Sequence, residues 1–148
     1  MTLADAIGAE ATLAKSIVSR VCAAINDEFD QWIGRDLSGL TLDYLFLDGS
    51  HFKFHTGSAS EPVLCAWGTT SDGDPVFVGL SPGESESHEA WSSFLRDLLE
   101  RGLTPPLLVI SDGTPGLISA CEKVLAKSLR QRCLIHRSRN IRRCCRFS

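Results

Sequence analysis

Two apolar runs in this chain end in the same way. Residues 42–49 read LDYLFLDG and residues 106–113 read PLLVISDG, so each run delivers an aspartate, Asp48 or Asp112, followed by a glycine. Short runs rich in Leu, Val, Ile and aromatic residues are strands buried on at least one face. A carboxylate at the end of such a strand is kept out of the core and held at its edge. Two of them converge when their strands are parallel neighbours. Hard divalent ions such as Mg²⁺ take oxygen ligands and retain several waters, so two or three carboxylates suffice for a site. A single Asp-Gly pair also marks an ordinary turn after a strand. Its repetition at two apolar strand ends is what points to a metal centre, with Gly49 and Gly113 leaving room for close approach.

The chain has 148 residues, enough for one domain with a real core. No apolar run approaches the ~18 residues that span a bilayer, so no membrane partner is expected. Residues 1–10 lack the basic-then-apolar layout of a signal peptide. Six cysteines, Cys22, Cys65, Cys121, Cys133, Cys144 and Cys145, are scattered without a dense framework. Reduced thiols in the cytoplasm are the expectation. The net charge of −3 conceals an asymmetry, because no acidic residue follows Glu122. Lys123, Lys127, Arg130, Arg132, Arg137, Arg139, Arg142, Arg143 and Arg146 place nine of the fifteen basic residues in the last twenty-six positions. Such a block favours a polyanionic partner, nucleic acid above all, or else forms a solvated surface.

Periodicity divides the chain. Residues 13–33 suit a helix, with Val18, Val21, Ile25, Phe29 and Trp32 along one face. Residues 2–11 also suit a helix, and a turn near Gly8 would make the pair the end of a helix-turn-helix. Gly34 and Gly39 close this helical segment, residues 1–40. Strands are expected at 42–47, 51–55 (HFKFH), 62–70 and 75–80, with Asp72-Gly73 supplying positive φ angles in a hairpin. Ser87 is the expected N-cap of a helix carrying Trp91, Phe94, Leu95, Leu98 and Leu99, stopped by Gly102. A strand at 107–111, a helix at 114–126 and a final strand at 129–135 follow. The layout is α/β, an antiparallel meander extended by parallel strands.

Other candidates for chemistry are weaker. Cys133 and His136 form a C-x2-H pair, but zinc would need two more ligands and the adjacent Cys144 and Cys145 are awkward for a tetrahedron. A buried cysteine and a hydrogen-bonded histidine orienting the last strand explain the pair as well. Glu84 and Glu86, before the Ser87 cap, could approach a metal or simply cap and solvate. His51, His55 and His88 suit strand faces and surface better than a ligand set.

Four blocks together are familiar: LFLDG at 45–49, ES-H-x2-W-x2-FL-x-DL-x3-GL at 86–103, LLVISDG followed by GL at 107–117, and QRC-x2-H-x2-RN at 131–140. In this order and spacing they resemble the mutator family of prokaryotic insertion-sequence transposases, over about residues 13–140. The resemblance implies a ribonuclease-H-like catalytic domain at 41–140, incomplete at its C-terminus, that cuts and joins DNA at element ends with Mg²⁺ or Mn²⁺. Asp48 matches the first acid of the family's triad and Asp112 the second. Cys133 and His136 match its C-x2-H signature, with a structural or DNA-organising role. Residues 13–20 are similar to the end of its recognition helix, which makes Ser16, Ser19 and Arg20 DNA contacts, with Arg132, Arg137 and Arg139 serving the backbone.

The departures are equally specific. The family's third acid, a glutamate, lies far beyond the second, whereas Glu122 follows Asp112 by only ten residues on a packing helix. Residues 141–148 (IRRCCRFS) look unrelated to the family. The expectation is a transposase fragment acting in the bacterial cytoplasm at the nucleoid and inactive alone. The alternatives are a DNA-binding or interfering partner of a full-length transposase, and a product with no function; a homo-oligomer or the full-length transposase is the expected protein partner.

Overall fold

A computed structural model describes residues 14–53, 56–57, 59–82 and 85–144. The chain forms two compact units, residues 1–35 and 36–148. The first contains helix α1 (Lys15–Ile33), closed at Gly34 at φ −90°, outside the left-handed region, with the Gly34 N–H bonded to the Asp30 carbonyl and the Arg35 N–H to the Trp32 carbonyl. Arg35 stacks its guanidinium 4.5 Å from the Trp32 ring centroid. The helix expected at 2–11 and its turn at Gly8 lie outside the described residues. No described helix is long and apolar enough to cross a membrane.

The second unit is a five-stranded mixed sheet with helices in the order β1 (Leu42–Phe52), β2 (Glu61–Thr70), β3 (Pro75–Pro82), α2 (His88–Glu100), β4 (Leu108–Ser111), α3 (Pro115–Val124), β5 (Leu129–Arg132) and α4 (Leu134–Cys144). The sheet order is β3-β2-β1-β4-β5. β1, β2 and β3 form the antiparallel meander, and β4 and β5 add parallel strands beside β1. This is the mixed α/β sheet with flanking helices that the sequence leads one to expect.

Residues 51–55 are not a separate strand. β1 continues through Asp48 and Gly49 because the long β2 keeps pairing with it, Gly49 against Leu64 and Phe52 against Glu61. Residues 54 and 55 lie outside the described set. The hairpin between β2 and β3 has only Gly73 at positive φ, 91°. Its N–H bonds to the Thr70 carbonyl at 2.9 Å, so an ordinary turn followed by one left-handed glycine closes the loop. At the other edge the strand expected at 129–135 stops at Arg132. β4 offers no partner beyond Ser111, whose carbonyl takes the Cys133 N–H at 2.7 Å. Leu134 and Ile135 instead begin α4, which crosses Asn140 and runs to Cys144.

The core lies on one face of the sheet. Leu45, Leu64, Ala66, Val78 and Val109 meet Trp91, Leu95 and Leu98 of α2 and Leu117 and Ala120 of α3. Ser87 caps α2 by accepting the Ala90 N–H at 3.2 Å. At the other end Gly102 adopts φ 96°. Its N–H bonds to Leu99 and that of Leu103 to Leu98, the paired bonds of a left-handed helix stop.

Candidate metal and nucleic-acid site

Side-chain alternation sorts β1 into two faces. Leu45 and Leu47 are buried, whereas Phe46 is 39% exposed. Asp48 therefore continues the open face and its carboxylate stays half-exposed. On β4, Val109 and Ser111 are both buried, so the next residue, Asp112, turns away from the core. The parallel ladder pairs Leu47 with Ser111. One step further along each strand stand Asp48 and Asp112, on strands that lie about 4.8 Å apart in any sheet. Both aspartates thus follow directly on the last paired residues of the parallel β1–β4 ladder, at its carboxyl end.

Each acid is held by its own neighbours. The Thr114 backbone N–H and its hydroxyl donate to Asp112 Oδ1 at 2.9 and 3.1 Å. This short turn, with Gly113 at φ 94°, launches α3 through Pro115. The Ser50 hydroxyl donates to Asp48 Oδ2 at 3.2 Å. His136 Nε2 stands 3.8 Å from Asp48 Oδ1, within ion-pair reach but longer than a hydrogen bond. Its Nδ1 is buried with no hydrogen-bond partner among the described residues.

Arg132 anchors the basic side. Its Nε donates to the Asp112 backbone carbonyl at 3.1 Å, and its stem lies over Gly113, where an added Cβ would come within 2.9 Å of that nitrogen. An open cleft of about 350 Å³ lies here, lined by Asp112, Thr114, Arg132, His136 and Asn140. Cys133 sits at the joint between β5 and α4, half-buried, and its carbonyl accepts the Arg137 N–H at 3.0 Å. Arg137 and Arg139 are exposed on α4. Ser16, Ser19 and Arg20 are exposed on α1, in the other compact unit. Glu122 pairs with Arg130 at 3.5 Å.

One acid that sequence reasoning left undecided belongs here. The Glu86 carboxylate lies directly over Gly49, where it fills the space a Cβ would occupy, and its Oε1 is 3.4 Å from His51 Nδ1. Burial pushes its carboxyl above the usual range, the His51 ring draws it down, and the charges of Asp112 and Asp48 push it further up. The signal was a glycine in mid-strand, which marks a close approach to the sheet. Glu84 lies outside the described residues. Among the described residues no three Asp, Glu, His or Cys side chains are arranged to hold a metal ion.

The family model described as "Transposase, Mutator family" matches residues 2–146. The chain is 35% identical over 135 residues to a transposase for insertion sequence element IS6120 from Mycolicibacterium smegmatis, covering 91% of this chain and 42% of the relative. It is 36% identical to the transposase for IS256 in transposon Tn4001 from Staphylococcus aureus, covering 88% of this chain and 34% of the relative. The chain thus spans less than half the length of these curated relatives. Among solved structures, an HTLV-2 integrase catalytic core domain in complex with magnesium is 20% identical, with a TM-score of 0.45 over 72% of this chain and 69% of that one. A simian T-cell lymphotropic virus intasome in complex with a PP2A regulatory subunit is 21% identical, with a TM-score of 0.44 over 74% of this chain and 40% of that one.

Proposed function

The chain belongs to the Mutator family of transposases, and from that premise we propose that Asp48 and Asp112 are two of the carboxylates of a centre that cuts and joins DNA at insertion-sequence ends. What supports this reading is the parallel register that pairs Leu47 with Ser111, the residues directly before Asp48 and Asp112. An all-oxygen pair suits Mg²⁺ or Mn²⁺ over softer metals. The buried, unpartnered His136 Nδ1 near Asp48 fits a site that takes a ligand. When bound, such ions polarise a phosphoryl oxygen and activate the attacking hydroxyl.

The protein's own groups have separable tasks. Thr114 donates twice to one oxygen of Asp112, which fixes the carboxylate that would help hold an ion. Ser50 donates to Oδ2 of Asp48, and His136 stands near its Oδ1. Arg132 is anchored through Nε, so its terminal nitrogens are available to a DNA phosphate in the cleft, with His136 and Asn140 opposite. Cys133 shapes the joint that aims His136 at Asp48. Arg137 and Arg139 add backbone contacts, and Ser16, Ser19 and Arg20 on α1 touch the element ends. The partners are DNA and a longer transposase or another copy of this chain, at the bacterial nucleoid in the cytoplasm.

This 148-residue chain is expected to bind DNA without completing strand transfer alone, because its one acid after Asp112, Glu122, lies only ten residues on, on the packing helix α3. Interference with a longer transposase is the second reading, favoured by the basic stretch after Glu122. The test is duplex-DNA binding by fluorescence anisotropy across a salt series, beside a strand-transfer assay with Mn²⁺. Affinity should fall steeply with salt, and Arg132→Ala should flatten the log–log slope by about 1. Salt-independent binding, or no binding at low salt, overturns the DNA reading. Joining that depends on Asp48 and Asp112 overturns the inactivity.

A further inference from the structure

We propose that the open face of the sheet is a stacking platform for unpaired DNA bases, with Trp67 and Phe46 at its centre. The inference rests on the reading above, because it sets the platform beside the centre that cuts the strand.

The strand register lays the platform out. Phe77 pairs with Trp67, Trp67 with Phe46, and Phe46 with Ile110, across four adjacent strands. Residues paired in this way project to the same side of a sheet, so these four form one row from β3 to β4. Phe46 and Trp67 are both largely exposed. The Trp67 and Phe77 rings lie 5.6 Å apart at 41°, tilted rather than stacked on one another. The next row on the same face runs through exposed Tyr44 and its partners Thr69 and Leu108. Neither row carries a charged side chain.

Three features select bases over other occupants. The first is ring content. The sheet residues packed beneath α2 and α3, Leu45, Leu47, Leu64, Ala66, Val78 and Val109, are all aliphatic. That is how a helix-covered face looks in this chain, and the open face differs from it in kind. Exposed aromatic rings stack bases of any sequence, because every base has a π-face. The second is size. Two rows across four strands span roughly 300 Å² at ordinary strand spacing, short of the ~800 Å² per partner that a stable second copy needs. The third is continuity. Asp48 follows Phe46 by two residues on the same face, about 7 Å along β1. A base next to a phosphate held at Asp48 reaches Phe46, and the base after it reaches Trp67 on the adjacent strand. Cross-strand aromatic pairs also stabilise a sheet, but buried rings do that equally well, so it does not explain rings kept at the surface.

The experiment compares the affinity of the 148-residue chain for a short single-stranded oligonucleotide and for the same sequence as a blunt duplex, by fluorescence anisotropy at fixed salt. Unfolding curves establish that each variant folds. Trp67→Leu, apolar but without a ring, should weaken single-strand binding at least about fivefold, the low end for one lost base stack. Its duplex affinity should change less than about twofold, since paired bases are not free to stack on protein. Trp67→Phe keeps a ring and should keep most of the affinity. Phe46→Leu should act in the same direction as Trp67→Leu. Unchanged single-strand affinity in Trp67→Leu, equal losses in Trp67→Leu and Trp67→Phe, or an equal loss for the duplex overturns the platform. The two-aspartate reading, which Mn²⁺ binding tests, would then still stand. Self-association that is lost in Trp67→Leu while single-strand affinity holds makes the face an interface between copies and also overturns the proposal. If the unaltered chain binds neither form of DNA at low salt, the DNA reading fails and takes this inference with it.

Discussion

Alternate residues of β1 do opposite jobs. Leu45 and Leu47 are 0% and 2% exposed beneath α2 and α3, whereas Tyr44 and Phe46 between them are 42% and 39% exposed. Asp48 extends the second set. β4 repeats the pattern, with Val109 and Ser111 at 1% facing the core and Asp112 beyond them. The covered face supplies the stability. The open face tolerates carboxylates, which the covered face could not without large desolvation costs. One period-two pattern thus builds the core and sets which face Asp48 takes, so a one-residue slip of β4 against β1 would disturb both.

The sharpest way to break this comparison is to truncate neighbours on opposite faces. Leu45→Ala should cost about 2–5 kcal/mol in chemical denaturation, the usual price of deleting a buried leucine. Phe46→Ala, one residue on, should cost less than about 1 kcal/mol, because its ring is already partly in water. Comparable losses at the two positions would mean that both faces are structural. Next in size is a change of function without a change of fold. Asp112→Asn should leave the melting temperature unchanged or slightly higher while weakening Mn²⁺ binding at least tenfold, since a neutral amide replaces a charged ligand. A variant that loses stability and ion binding together would make Asp112 a structural residue whose turn bonds to Thr114 matter more than its charge.

A smaller effect tests the lid of the covered face. Gly102 ends α2 at φ 96°, and a Cβ there would come 2.9 Å from the Ser38 nitrogen. Gly102→Ala should therefore cost roughly 1–2 kcal/mol from the left-handed conformation alone, with further loss from Ser38. Phe46 and Asp48 should be untouched by it, so Mn²⁺ affinity should hold.

The sequence reveals the covered face best. Trp91, Phe94, Leu95 and Leu98 repeat at helical spacing, Ser87 and Gly102 bracket them, and the structure follows both signals because local caps and long-range burial agree there. The two aspartates were legible for a related reason, as each apolar run ends on one. What eluded the sequence depends on partners distant along the chain. Asp48-Gly49 looks like a turn, yet β1 runs through it because β2 is long enough to keep pairing. Leu134 and Ile135 look like strand, yet β4 has ended and they begin α4. Glu86 resembles a capping acid until Gly49 and Gly116, far away in sequence, are seen to make room for it.

The subtlest difference between the faces is electrostatic, and two cysteines report it. Cys121 lies at 3% exposure among the core residues of α3, and burial pushes its thiol up to about 11. Cys65 is half-buried on β2 directly opposite Asp48. Its thiol is raised first by burial and then by the Asp48 charge. Asp48→Asn removes the second cause alone, so the Cys65 thiol should move down and its thiolate fraction at mildly alkaline pH should rise. Alkylation of Cys65, followed by peptide mass spectrometry, should then speed up by less than about tenfold, the factor for one full unit. Saturating Mn²⁺ on the unaltered chain should act in the same direction, because a cation at Asp48 cancels the charge that holds the thiol up. Cys121 should respond to neither. If Cys65 ignores both the substitution and the ion, Asp48 does not carry its charge into the sheet face, and the open side loses the electrostatic character that separates it from the core.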